Sequence, residues 1–186
     1  LEAYTVGSHE FYTCYAMSND KVIATFDTGH FHPTEMVSAK LSAMLAFKDK
    51  LLLHVSRPIR WDSDHVVAFD DETRAIMEEL VRMNALDRVY IATDYFDASI
   101  NRIVAWVVGA RNTRKALLAA LLQPVDKMKA MEAAGDLSSR LAYTQEFRAA
   151  PFSLVWDYYC ARENAGAGLS WLDDVKKYEA DVLLKR

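Results

Sequence analysis

With 186 residues, 52% of them hydrophobic and 26% charged, the chain falls in the globular range and can bury a real core. A net charge of -4 and a pI near 5.7 argue against broad binding to nucleic acid or anionic membranes, which needs a basic surface. Two cysteines are too few for a disulfide framework and favour a reducing, cytoplasmic setting, and no window reaches the roughly 18 apolar residues of a membrane helix.

The chain opens "LEAYTVGSHEF", without an initiator Met and already in mid-pattern, so it reads as starting partway through a longer protein. "SHEFYTCYAMSNDK" predicts a helix, with Ser8 as N-cap and Phe11, Tyr15 and Met17 offered to one side. "KVIATF" is a short β-branched run ending at Asp27, the pattern of a buried strand. "PTEMVSAKLSAMLAFK" predicts a helix with Pro33 near its first turn, Glu35 within that turn, and Met36, Leu41, Met44 and Leu45 on one face. "KLLLHVS" is a second buried strand, followed by the polar loop "RPIRWDSDH". "DDETRAIMEELVRMNAL" is amphipathic and acidic in its first turn, as the helix dipole favours. "DRVYIATDYF" gives a third strand ending near Asp94.

Strand, helix, strand, helix, strand over residues 21–97 is the signature of parallel βαβ units, whose ligands gather at the carboxyl ends of the strands. Beyond Asp97 the pattern turns helical. A long segment ends at Pro124, and four more follow, separated by Gly135, Pro151 and the "AGAG" stretch. The division expected is a β/α part over residues 1–97 and a helical part over 98–186.

The strand ends carry the chemistry. "DTGHFHPTE" places Asp27 and His30 behind one strand, "LLLHVS" holds His54, the loop adds Asp62, Asp64 and His65, and Asp94 follows the third. Each has a bland alternative: Asp27 can cap a turn, His54 can be a core histidine, and an Asp-x-Asp loop is often only solvated. Together they point to a cation. Carboxylates about 6 Å apart repel by roughly 2–3 kcal/mol per pair at an effective dielectric near 20, a cost a divalent ion offsets. Mixed His and carboxylate donors suit Mn²⁺ or Zn²⁺ better than Ca²⁺. Trp61 and Phe96 flank these residues; Phe96 reads more readily as core. No Gly-rich phosphate loop, C-x-x-C pair or G-x-S-x-G elbow is present.

The contiguous "LLLHVSRPIRWDSDHVV", with "DTGHFHPTE", "DYFDASINRIVAW", "KALLAALLQP" and "MEAAGD", resembles bacterial L-rhamnose isomerase over essentially the whole chain. The resemblance implies an α/β fold: the C-terminal portion of a (β/α)8 TIM barrel, about three βα units, followed by an all-helical extension. It also implies a homotetramer that interconverts L-rhamnose and L-rhamnulose. Carried over motif by motif, His30, Asp62 and Asp64 hold the metal at the reacting sugar, and Asp27, His54 and Asp94 hold a second metal. Mn²⁺ is the implied ion at one or both positions, with Zn²⁺ the option at one.

The family's second metal also takes a glutamate from the preceding strand, and its pocket uses a lysine from an earlier one. Neither strand is found in this sequence, and Glu2 and Glu10 follow no strand-like run. The expectation is therefore a metal-bearing part of the isomerase that is inactive without the upstream strands. The alternatives are a metal-dependent hydrolase or nuclease on a related barrel, or a non-catalytic assembly or metal-binding segment. In the latter, the apolar stretch from Ile100 to Leu122 would dock against other parts.

Overall fold

The structure, a computed structural model, describes residues 8–59 and 64–186. Asp62 and Trp61 lie outside the described residues. The fold is α/β and mostly helical, with eight α-helices and one parallel sheet of three strands among the described residues. It divides into two compact units, Leu1–Ala120 and Leu121–Arg186.

In the first unit, helix α1 (His9–Met17) starts where Ser8 accepts a hydrogen bond from the Phe11 amide. The cap is as expected; the face is not. Ala16 is the buried residue, whereas Phe11 and Tyr15 are each 52% exposed and stack on one another at the surface. Strand β1 (Thr25–Asp27), strand β2 (Leu51–Val55) and strand β3 (Val89–Thr93) pair in parallel, in the order β1-β2-β3. The register sets Asp27 beside His54, and His54 beside Ala92.

The strands are buried on one face rather than two. Leu51, Leu53 and Val55 alternate with less buried residues, and Phe26 and Val89 extend the same buried layer. Each such side chain contributes roughly 1.5–3 kcal/mol when fully buried. Helix α2 (Ser38–Leu45) and helix α3 (Asp71–Arg82) add Leu41, Leu45, Ile76, Met77 and Leu80 to this core. The opposite face carries Thr25, Asp27, Leu52, His54 and Tyr90, all exposed or part-exposed.

Helix α2 begins at Ser38, five residues beyond Pro33. Residues 32–35 form their own turn, closed by the Glu35 amide on the His32 carbonyl (2.8 Å) and by His32 Nδ1 with Thr34 Oγ1 (2.7 Å). Met36 and Glu35 therefore stand outside the helix, Met36 exposed and Glu35 paired with Lys40 at 2.9 Å. The start of α2 is set from elsewhere: the Glu72 carboxylate accepts from the Ser38 amide (2.8 Å) and hydroxyl (3.0 Å). Its far end is closed by Arg88, whose guanidinium donates to the carbonyls of Leu45, Lys48 and Asp49 at 2.7–3.0 Å. Helix α3 is capped by Asp70, which accepts from the Thr73 amide at 2.9 Å, and ends on Asn84 in the left-handed region (φ 53°).

Helix α4 (Arg102–Leu121) packs onto this first unit, because Ala116, Leu117 and Ala120 join its core. Small residues permit the close approach. A Cβ on Gly109 would lie 2.1 Å from the Tyr95 ring, and the Tyr95 hydroxyl donates to the Trp106 carbonyl at 2.8 Å. Asn112 adds a bond from its side-chain amide to the Val67 carbonyl (2.9 Å).

The second unit holds α5 (Val125–Ala133), α6 (Leu137–Arg148), α7 (Phe152–Arg162) and α8 (Ser170–Asp181), and its described residues include no strand. Asp136 caps α6, accepting from the Ser139 amide at 3.1 Å, while Trp156 and Cys160 are the buried side chains of α7. No helix among the described residues is long and apolar enough to cross a membrane.

Candidate metal centre

The carboxyl ends of β1, β2 and β3 meet at one place, and the parallel register is the reason. Asp27 closes β1 directly beside His54 of β2, and His54 Nδ1 stands 3.3 Å from Asp27 Oδ2. Asp94 follows β3, with its amide bonded to the Val55 carbonyl (3.2 Å) and its Oδ2 3.4 Å from the same His54 nitrogen. His30 is delivered by a single 3-10 turn, Thr28–His30, which Asp27 caps through the Gly29 amide at 2.9 Å. That turn swings the His30 ring back, so Nε2 lies 3.6 Å from Asp27 Oδ2 and 3.6 Å from Asp64 Oδ2.

Asp64 arrives from the loop after β2. An antiparallel bridge between Arg57 and His65 closes that loop, with amide–carbonyl bonds of 3.0 and 3.1 Å. Asp64 is thereby carried back over the end of β2, where the Ser56 hydroxyl approaches its Oδ1 at 3.2 Å. His65 contributes backbone to the bridge; its ring belongs to neither group below.

Two overlapping trios result: Asp27, His30 and Asp64; and Asp27, His54 and Asp94. Within each, one donor atom per residue lies within 4.8 Å of the others. Asp27 is common to both. Its side chain is only 13% exposed, against 63% for Asp94. Burial pushes the Asp27 carboxyl above the usual carboxylate range, and the Asp64 charge pushes the same way. The Gly29 amide, His30 and His54 pull in the other direction. The donor set fits a divalent ion: imidazole nitrogens and carboxylate oxygens converge, and positive charge would relieve the crowding at Asp27.

Five of the six sequence-predicted ligands are thus brought together: Asp27, His30, His54, Asp64 and Asp94. The sixth, Asp62, lies outside the described residues. Phe96 is not core: it is 70% exposed, and its amide donates to the Asp64 carbonyl at 3.4 Å. Sequence reasoning passed over Ser56 and Thr28. Both are buried, and the Ser56 hydroxyl also lies 3.3 Å from Asp27 Oδ1. The strand alternation held the signal, because Ser56 stands two residues beyond His54 and so faces the same side.

A wall of this site opens into a cavity of about 370 Å³ lined by His9, Tyr12, Ile23, Thr25, Asp27 and His30 among others.

The family model described as L-rhamnose isomerase (RhaA) matches residues 1–186. The chain is 55% identical over 185 residues to the L-rhamnose isomerases of Salmonella newport (strain SL254) and Salmonella typhi. It is 56% identical over 186 residues to that of Mannheimia succiniciproducens. Each match covers 100% of this chain and 44% of the relative's length, so the chain spans less than half of those proteins. A match across every residue at this identity settles the family: the chain belongs to the L-rhamnose isomerases.

Proposed function

We propose that this chain is the metal-bearing part of an aldose–ketose isomerase that interconverts L-rhamnose and L-rhamnulose. The observation that carries the reading is the pair of trios sharing Asp27 at the carboxyl end of a parallel sheet, in a chain of this family. Relatives bearing the name L-rhamnose isomerase support the substrate. Residues 1–97 form about three βα units from the C-terminal portion of a (β/α)8 barrel, and residues 98–186 form its helical extension. The whole enzyme is a cytoplasmic homotetramer.

In this reading His30, Asp62 and Asp64 hold the ion beside the sugar, and Asp27, His54 and Asp94 hold the second. Mn²⁺ occupies one or both positions, with Zn²⁺ the option at one, as mixed imidazole and carboxylate donors allow. When bound, the divalent ion supplies Lewis acidity toward O1 and O2 of the open-chain sugar, where charge develops as hydrogen moves between C1 and C2. His30 offers a ring nitrogen from a short turn, and Asp64 a carboxylate from a bridged loop, so both donors are oriented before the ion arrives. Asp27, the most enclosed of the described carboxylates of the site, anchors the pair of histidines from between them. The reaction also needs the glutamate and lysine of other strands, so this chain alone binds metal without turning over sugar.

Metal content after chelation and re-addition of Mn²⁺, measured beside ketose formation from L-rhamnose, tests the reading. Bound Mn²⁺ without ketose from this chain, and ketose once the rest of the barrel is supplied, is the expected result. No retained metal in the completed protein would overturn it.

A further inference from the structure

One neutral hydroxyl stands between the two carboxylates that face His30. Ser56 Oγ lies 3.3 Å from Asp27 Oδ1 and 3.2 Å from Asp64 Oδ1. A serine hydroxyl has a single proton, so it donates to one carboxylate at a time and holds both within reach. Asp27 ends β1, and Asp64 returns from the loop after β2; Ser56 links the two across the sheet end.

Ser56 is itself held rigidly. Its amide donates to Thr28 Oγ1 at 2.7 Å, and that hydroxyl in turn donates to the Ser56 carbonyl at 2.7 Å. The Thr28 hydroxyl also lies 3.3 Å from the His54 carbonyl. Both residues are 4% exposed. A buried serine whose backbone is clamped by a neighbouring hydroxyl, and whose own hydroxyl reaches two carboxylates, is an arrangement that orients them.

We propose that Ser56 is a positioning residue for the Asp27, His30 and Asp64 trio, with Thr28 as its clamp, and that it acts on this trio more than on Asp27, His54 and Asp94. The inference rests on the metal reading given above. Its selectivity follows from the contacts. Asp64 belongs to the first trio alone, and Ser56 is one of its anchors. Asp27, the residue the trios share, keeps its Gly29 amide and its His54 contact when Ser56 is gone.

The test is Mn²⁺ titration of the metal-depleted full-length protein, read by total bound Mn²⁺ and by the electron paramagnetic resonance spectrum of each bound ion. Wild type is compared with Ser56→Ala, Ser56→Thr and Thr28→Val. The expectation is that Ser56→Ala weakens one of two ions by about tenfold or more and alters its spectrum, in the range typical of lost groups behind metal ligands. The other ion changes by less than about threefold, and Ser56→Thr restores the first. If Ser56→Ala fails to fold, Thr28→Val must weaken the same single ion. Wild-type affinity for both ions in Ser56→Ala overturns the inference while leaving the metal reading intact. Equal weakening of both ions, unrescued by Ser56→Thr, also overturns it. A wild-type protein that binds no Mn²⁺ overturns both.

Discussion

Asp27 and His54 are register partners across β1 and β2, and His54 Nδ1 rests 3.3 Å from Asp27 Oδ2. The same carboxylate oxygen lies 3.6 Å from His30 Nε2, so one part-buried acid faces two imidazoles from two elements. In the proposed two-ion site, Asp27→Asn removes a ligand of the second ion and the carboxylate beside His30 of the first, so it is expected to weaken retention of both, whereas Asp94→Asn, at the exposed edge, weakens only one. Bound metal per chain after dialysis, measured by mass spectrometry, separates the two outcomes. Equal losses would mean that Asp27 acts on the second ion alone and does not position His30.

Asp62 and His65 flank Asp64 in the same loop, and the proposed roles divide them sharply. In the complete enzyme, Asp62→Asn should abolish turnover and cut metal affinity. His65→Asn should be milder, because His65 bridges to Arg57 through backbone groups that the substitution retains. Parallel losses of activity in the two variants would place His65 among the ligands.

Gly109 lets α4 close over Tyr95, the residue that follows Asp94. Any side chain there meets the Tyr95 ring at 2.1 Å. Gly109→Ala is expected to destabilise the protein by about 1–3 kcal/mol, as overpacking does, despite alanine's better helix propensity. Chemical denaturation reads the change. A neutral or stabilised variant would mean that Tyr95 moves aside freely.

Arg88 donates to three carbonyls at the end of α2, so Arg88→Ala leaves those acceptors without their charged partner. A loss of about 1.5–3 kcal/mol is expected, the range for hydrogen bonds to charged groups. Arg88→Lys should recover only part of it, since an ammonium lacks the planar fork. Denaturation midpoints of the three proteins give the ranking.

His9 packs edge-on against Phe26 and Phe31, with ring centroids 5.2 and 4.9 Å away, and its Nε2 is 3.4 Å from Thr13 Oγ1. Burial pushes its pKa down, the nearby Lys40 ammonium adds to this, and Glu10 and Glu35 oppose it. The folded protein thus binds a proton at His9 less readily than the unfolded chain. Above the ordinary histidine pKa of about 6.5 the residue is neutral in both states and imposes no cost. As pH falls through that value toward the depressed one, the unfolded chain protonates first and stability declines. His9→Gln should show a smaller loss between about pH 7.5 and about pH 5.5 than wild type does, by denaturant unfolding. An identical loss in both would assign the pH dependence elsewhere.

Much of this protein was legible in its sequence because the signals are local. The three strands ending at Asp27, Val55 and Thr93 follow apolar, β-branched runs, and α3 announces itself by an acidic first turn and an apolar stripe. The strand-end positions of Asp27, His54 and Asp94 also needed only that reading. Tertiary structure decided the rest. Pro33 signalled a helix start that Glu72, thirty-four residues past Ser38, moved to Ser38. Among the described residues the sheet is covered on one face only, so apolar runs that look doubly buried alternate in burial instead. Asp64 reaches His30 because the Arg57–His65 bridge folds the loop back, and Ser56 finds two carboxylates because β1 and β2 lie in register. Local propensity and periodicity determine where an element lies; which side chains meet depends on register, loop closure and capping from distant residues, and those are properties of the folded chain alone.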